Sequence, residues 1–75
     1  MNNEQIKAWT QNGTLYVKGL TVGKPWYIYN LYGQLIYTVI AANGDTVEIR
    51  LSVKGLYIIQ SGNGTTKLMV NDLVL

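Results

Sequence analysis

Eight glycines divide the chain into short runs, and this spacing limits its possible folds more than any other feature. They stand at positions 13, 19, 23, 33, 44, 55, 62 and 64. The runs between them are rich in Tyr, Val, Ile, Leu, Thr and Trp, which favour strands. No segment shows a sustained helical period. Short strands separated by turn signals are typical of an all-β sandwich or barrel.

These runs predict seven strands, near residues 6–11, 14–18, 25–31, 35–41, 46–52, 56–61 and 65–70. Asn12-Gly13 predicts a type I′ turn between the first two, because this pair supports positive φ at both central positions. Asn43-Gly44-Asp45 and Gly62-Asn63-Gly64 predict similar hairpin turns. Pro25 stands at a strand start, where its missing N–H costs least.

The stretch "NLYGQLIY", residues 30–37, places a turn between two apolar runs. Asn30 can hydrogen-bond backbone groups ahead of it, and Gly33 can adopt positive φ. We therefore predict a β-turn or bulged hairpin at this point, made by residues that shape the backbone and carry no chemistry.

The clearest strand alternation is "TVEIRL", which predicts that Val47, Ile49 and Leu51 face the core. Leu15 and Val17 alternate in the same way. Three other runs, "WYIYNL", "LIYTVIA" and "GLYIIQ", are apolar on both faces. They are either central strands with Tyr rings lying on the outer face, or a docking or dimer surface.

Length and composition bound the protein class. Seventy-five residues correspond to one domain, residues 1–75, without disulfides or Cys- or His-ligated zinc because Cys and His are absent. Hydrophobic residues make up 48% of the chain and charged residues 13%, against about 25% charged in typical domains. The surface is therefore expected to be poor in charge.

The charge pattern argues against nucleic acid, because a net charge of +2 is too small to form a basic footprint. The polar N-terminus "MNNEQIKAWTQ" does not have the pattern of a signal peptide. No apolar run reaches the roughly 18 residues of a transmembrane helix, so we expect no transmembrane segment.

An enzyme is not expected. The only carboxylates are Glu4, Asp45, Glu48 and Asp72. Asp45 in a turn and Glu48 on a strand should diverge, whereas a catalytic pair must converge across a cleft. Without His or Cys, a nucleophile would lack its usual activating partners. We therefore predict no catalytic residues, no metal site and no cofactor.

Aromatic residues are the remaining candidates for a binding surface. A stacking platform for sugars or single strands could use Trp9, Tyr16, Trp26, Tyr27, Tyr29 and Tyr37. Of these, Trp9, Trp26 and Tyr27 are the candidate surface aromatics. The alternative is cross-strand aromatic pairing that stabilises the sheets.

The order of four blocks, "GTLYVKGL", "WYIYNLYGQLIYT", "DTVEIRLSVKGLYIIQ" and "TTKLMV", resembles a known family. It is similar to the C-terminal sorting domain of the type IX secretion system, the Por-secretion-tail family. A closely related uncharacterised C-terminal domain of Bacteroidetes surface proteins matches equally well. The resemblance covers about residues 13 to 70. Gln34 departs from it, standing where the family usually has Arg or Lys.

The family's motif positions fall on particular residues of this chain. They include Tyr29, Asn30 and Gly33 in the second block, Gly55 and Tyr57 in the third, and Lys67, followed by Leu68 and Val70, in the last. The resemblance makes these eight residues the candidate docking positions. It implies an immunoglobulin-like antiparallel β-sandwich that forms the C-terminal module of a larger exported protein.

The resemblance also implies a function. Members are attached to secreted enzymes and adhesins, and the secretion machinery recognises them at the outer membrane. We accordingly expect a sorting or docking domain at the cell surface, with the secretion machinery or the cargo domain as protein partner. A glycan- or protein-binding module of a surface protein is the alternative. The apolar end "LMVNDLVL" further suggests a homodimer through edge strands.

Overall fold

The computed structural model describes residues 6–62 and 64–71, and within them the chain is all β without a helix. The strands are β1 Lys7–Gln11, β2 Thr14–Lys18, β3 Pro25–Asn30, β4 Leu35–Ile40, β5 Val47–Arg50, β6 Gly55–Ser61 and β7 Gly64–Val70. All seven predicted strands are confirmed, with ends displaced by one or two residues at most.

The strands form two antiparallel sheets. One has three strands in the order β1-β2-β5, and the other has four in the order β4-β3-β6-β7. Two sheets packed in this way are an immunoglobulin-like sandwich, as predicted. Each sheet depends on one pairing between strands distant in sequence, β2 with β5 and β3 with β6.

The core lies between the sheets and is made of side chains that alternate along the strands. Its fully buried members are Leu15, Val17, Trp26, Ile28, Ile59 and Val70. The predicted inward positions of β2 are confirmed, and in β5 Val47 and Ile49 face inward while Glu48 and Arg50 are exposed. Side chains of this kind supply roughly 1.5–3 kcal/mol each on burial.

The corner that precedes β6, where the chain passes from the three-stranded to the four-stranded sheet, is held by a tyrosine hydrogen bond. The buried Tyr57 donates its hydroxyl to the Val53 carbonyl oxygen at 2.6 Å. A tyrosine that bonds back to the chain a few residues upstream at this corner is a hallmark of immunoglobulin-like sandwiches. A buried Trp on the third strand, here Trp26, is another.

Two of the three predicted hairpin turns lie between strands that pair with each other, and the third does not. Asn12 and Gly13 have φ of 54° and 81°, which confirms the first hairpin turn. β6 and β7 pair as far as Ser61↔Gly64, and Asn63 of that predicted turn lies outside the described residues.

The predicted hairpin at Asn43-Gly44-Asp45 is wrong. This segment carries the chain from β4 in one sheet to β5 in the other. The Asp45 N–H donates to Asn43 Oδ1 at 2.9 Å, so the local bend that Asn favours does form. β5 nevertheless pairs with β2, through Val17↔Val47, because tertiary pairing decides the partner of a strand.

Candidate functional site

The outer face of the four-stranded sheet carries a cluster that we call the tyrosine face, made of Tyr27, Tyr29, Ile58, Gln60 and Lys67. Tyr27 and Tyr29 stack with ring centroids 6.1 Å apart and planes inclined by 25°. The strand register sets Tyr29 beside Ile58, and Ile58 beside Lys67. Aromatic and aliphatic groups therefore continue across three strands and end at a cation.

An open groove of about 740 Å³ runs along one end of the tyrosine face. Its lining includes Lys24, Pro25, Tyr27, Tyr29 and Gln60. Two phenol rings, an amide and an ammonium group can stack against and hydrogen-bond an extended partner segment. This combination of apolar wall and few polar groups suits a peptide chain or a sugar.

The outer face of the three-stranded sheet carries a second aromatic pair. Trp9 and Tyr16 stand directly opposite each other on β1 and β2. Their rings stack at 5.6 Å with planes inclined by only 13°. Trp9 is 40% exposed, so part of the indole meets solvent while Tyr16 covers one of its faces.

Trp26 was predicted as a surface aromatic, and this prediction is wrong. Its side chain is 1% exposed, and its ring packs against Tyr37 at 5.6 Å within the core. Successive strand residues point to opposite faces, so placing Tyr27 outside places Trp26 inside. The indole N–H finds no acceptor among the described residues.

The turn at Asn30 has the predicted construction. Asn30 Oδ1 accepts the N–H groups of Tyr32 at 2.9 Å and Gln34 at 3.0 Å. Gly33 has φ of 80°, a conformation that strains residues with a Cβ. Asn30 Nδ2 also donates to Gln34 Oε1 at 2.7 Å, so the Gln34 side chain is part of the turn.

The eight candidate docking residues do not form one patch. The register aligns Asn30, Tyr57 and Leu68 in one row across β3, β6 and β7 and aligns Gly55 with Val70. Tyr57 and Val70 are buried in the core, so a partner of the folded domain cannot reach their side chains. Only Tyr29 and Lys67 belong to the tyrosine face, while Asn30 and Gly33 shape the turn.

The sequence also assigned "LIYTVIA" a central position as one alternative, and the structure makes it an edge strand. Among the described strands, β4 has β3 as its only neighbour, whereas β3 and β6 are central. Leu35, Ile36, Val39 and Ile40 are between 43% and 60% exposed. Ile36 is the extra residue of a β-bulge, because Ile28 pairs with Tyr37 and Tyr29 with Leu35.

The sequence left central strand and docking surface open for β4 because apolar content alone does not distinguish a covered strand from an uncovered one. β4 carries no charge, and uncharged edge strands are prone to pairing. The central strands β3 and β6 are uncharged as well, so charge does not distinguish the edge strand in the sequence. Beside β4 an opening of about 380 Å³ separates it from β5, with Val39, Ala41 and Val47 among its lining.

Within residues 6–62 and 64–71, no group of three His, Cys, Asp or Glu side chains could hold a metal ion. That part of the chain also has no helix with the length and apolarity to cross a membrane.

Fold and surface together define a small immunoglobulin-like β-sandwich with an aromatic pair on each outer face. Comparison with protein-family models, with curated proteins and with solved structures finds no match to this chain.

Proposed function

We propose that this chain is a non-enzymatic docking domain that directs or anchors an exported protein at the bacterial cell surface. The tyrosine face is the observation that carries the proposal. Tyr is enriched in the buried centres of protein interfaces because it combines a large apolar ring with a polar tip. Lys67 at the end of the face favours a partner with a carboxylate or another acceptor.

The order of the four motif blocks supports the same function. Two of the motif residues, Tyr57 and Val70, lie in the core and help to hold the sandwich together. Recognition then rests on the two motif residues that belong to the tyrosine face, Tyr29 and Lys67. The protein partner is the secretion machinery at the outer membrane or the attached cargo domain.

A reporter preceded by a signal peptide and followed by residues 1–75 tests the proposal in a host with type IX secretion. We expect the reporter at the cell surface, measured by protease accessibility and surface labelling. Tyr29→Ser should reduce the surface fraction at least several-fold, because it removes one ring of the stacked pair.

Tyr16→Ser is the matched control, since it makes the same substitution on the outer face of the other sheet. It should leave surface display unchanged. A reporter that stays periplasmic behind a folded domain would argue against sorting. Equal losses in both variants would argue against the tyrosine face as the recognition surface.

The second candidate function is glycan binding by the Trp9–Tyr16 pair, favoured by its nearly parallel, partly exposed rings. Aromatic rings of this kind can stack on sugar faces, and the exposed part of Trp9 would be the contact. Because Trp26 is buried, quenching of tryptophan fluorescence by a sugar would report on Trp9. A flat response across a glycan panel, or quenching retained in Trp9→Phe, would remove this candidate.

A further inference from the structure

The four edge strands of the sandwich differ in charge. Lys7 lies in β1, Glu48 and Arg50 in β5, and Lys67 in β7. β4, with the sequence "LIYTVI", has no charged residue. Charged side chains on an edge discourage another strand from pairing there. β4 is therefore the one edge among the described strands without this protection.

The backbone of β4 leaves hydrogen-bonding groups at its free side. The Ala41 N–H donates to the Lys24 carbonyl at 3.0 Å, and the Ala41 carbonyl accepts the Gly23 N–H at 2.8 Å. Antiparallel bonding alternates along a strand, so Val39, opposite Trp26, also turns its backbone toward β3. Thr38 and Ile40 consequently direct their N–H and C=O groups away from the sheet.

The side chain between these two residues is also uncovered. Val39 stands on the inner face of the sheet yet is 43% exposed, because the opposing sheet leaves the opening between β4 and β5. An apolar group arriving along the edge of β4 would cover it.

We propose that β4 pairs with β4 of a second copy, antiparallel and about a two-fold axis at Val39. Thr38 of each copy then exchanges N–H···O=C bonds with Ile40 of the other, which joins the two four-stranded sheets into one. Val39 meets Val39 of the second copy in a non-hydrogen-bonded pair, where Cα atoms approach to about 4.5 Å.

A second copy fits this edge better than a charged partner segment because the strand is complementary to itself. Thr38 and Ile40 face each other across the axis on the outer side, and no like charges are brought together. The bulge at Ile36 restricts regular pairing to the Tyr37–Ala41 half of the edge. This restriction selects the register centred on Val39.

The dimer is weak, and it is independent of the docking function proposed above. One strand edge buries less than the roughly 800 Å² per partner of a stable complex, so we expect a Kd on the order of 10–100 micromolar. The axis stands perpendicular to the sheet, which places both tyrosine faces on the same side of the dimer.

Sedimentation velocity on the full chain tests the association. Between about 5 and about 500 micromolar the mass should rise from 8.4 kDa toward twice that value. Val39→Lys should weaken association at least ten-fold, since it places two cations on the axis. Val22→Lys, at an exposed valine outside the strands, should leave it unchanged. Circular dichroism checks that both variants fold.

Cysteine crosslinking tests the register, and the natural chain contains no cysteine that would interfere. A Cα separation of about 4.5 Å is within the range that a disulfide bridges. Val39→Cys should therefore oxidise to a covalent dimer at least ten-fold faster than Val22→Cys, and Thr38→Cys should be slower than Val39→Cys. A monomer at every concentration, association unaffected by Val39→Lys, or equal crosslinking rates at the three positions would overturn the proposal.

Discussion

β4 and β7 are the two edges of the same sheet, and they have opposite surroundings. β7 alternates regularly, with Val70 and the half-buried Leu68 turned inward and Lys67 and Met69 outward. β1 of the other sheet lies against β7. β4 does not alternate in burial, because its inner side lacks a comparable cover.

The difference shows that a strand buries one face and exposes the other only where the opposing sheet packs against it. A three-stranded sheet opposite a four-stranded one can cover only part of the larger sheet. The strand left over keeps apolar residues on both sides and has solvent on both. Such a strand is a surface for association, while its counterpart at the other edge is part of the core.

The largest expected effect is a difference in stability between substitutions at two valines, one on the inner face of each edge strand. Val70→Ala should lower the free energy of unfolding by about 2 kcal/mol, because it removes two fully buried methyl groups. Val39→Ala should cost less than about 0.7 kcal/mol, because that side chain is already partly hydrated. Urea denaturation at low micromolar concentration measures both. Equal losses of free energy would show that Val70 is no better covered than Val39.

The next largest effect on stability is expected at Tyr57, in the corner that precedes β6. Tyr57→Phe should cost about 1–1.5 kcal/mol, because it leaves the Val53 carbonyl without the hydroxyl that bonds it at 2.6 Å. Tyr27→Phe is the matched control on the outer face and should change stability by less than about 0.5 kcal/mol. If the two variants unfold at the same urea concentration, the hydrogen bond between Tyr57 and Val53 does not stabilise the fold.

The turn that leads into β4 gives a smaller effect with a local signature. Asn30→Ala removes two hydrogen bonds to backbone N–H groups in an exposed turn and should cost about 1 kcal/mol. Hydrogen exchange should accelerate at Tyr37 and Val39 more than in β7. Asn43→Ala, which removes one such bond, should cost less. Uniform acceleration over all strands would mean that β4 does not open separately.

The smallest effect on stability comes from removing the charge of β7. Lys67→Ile should change the free energy of unfolding by less than about 0.5 kcal/mol, since the side chain is exposed. It should nevertheless increase association measured by sedimentation, because the edge then lacks its charge. Unchanged association would show that the contact with β1, and not Lys67, protects β7.

The strands and the first turn could be predicted because their causes are local. Alternation at Val47, Ile49 and Leu51 needs only the period of a strand, and Asn12-Gly13 needs only the φ angles that these two residues tolerate. The Asn30 turn was predicted for the same reason: its hydrogen bonds join residues at most four positions apart.

The partner of a strand could not be predicted in this way. Asn43-Gly44-Asp45 has the composition of a hairpin turn, yet the chain crosses to the other sheet there. Trp26 and Tyr27 are both aromatic neighbours, and only the side covered by the opposing sheet decides which of them is buried. The exposure of β4 depends on the unequal number of strands in the sheets, which no local window contains.

The pairings of β2 with β5 and β3 with β6 also bear on how the chain reaches its native state. Three pairs of neighbouring strands can form as hairpins early, since each joins residues close in sequence. The sheets cannot be completed until segments some thirty positions apart meet, as in Leu15↔Ile49 and Ile28↔Ile59. Loop closure of this kind slows all-β domains to milliseconds or seconds. During that delay the hairpins expose their apolar sides, and a chaperone that holds extended segments would find its binding sites there.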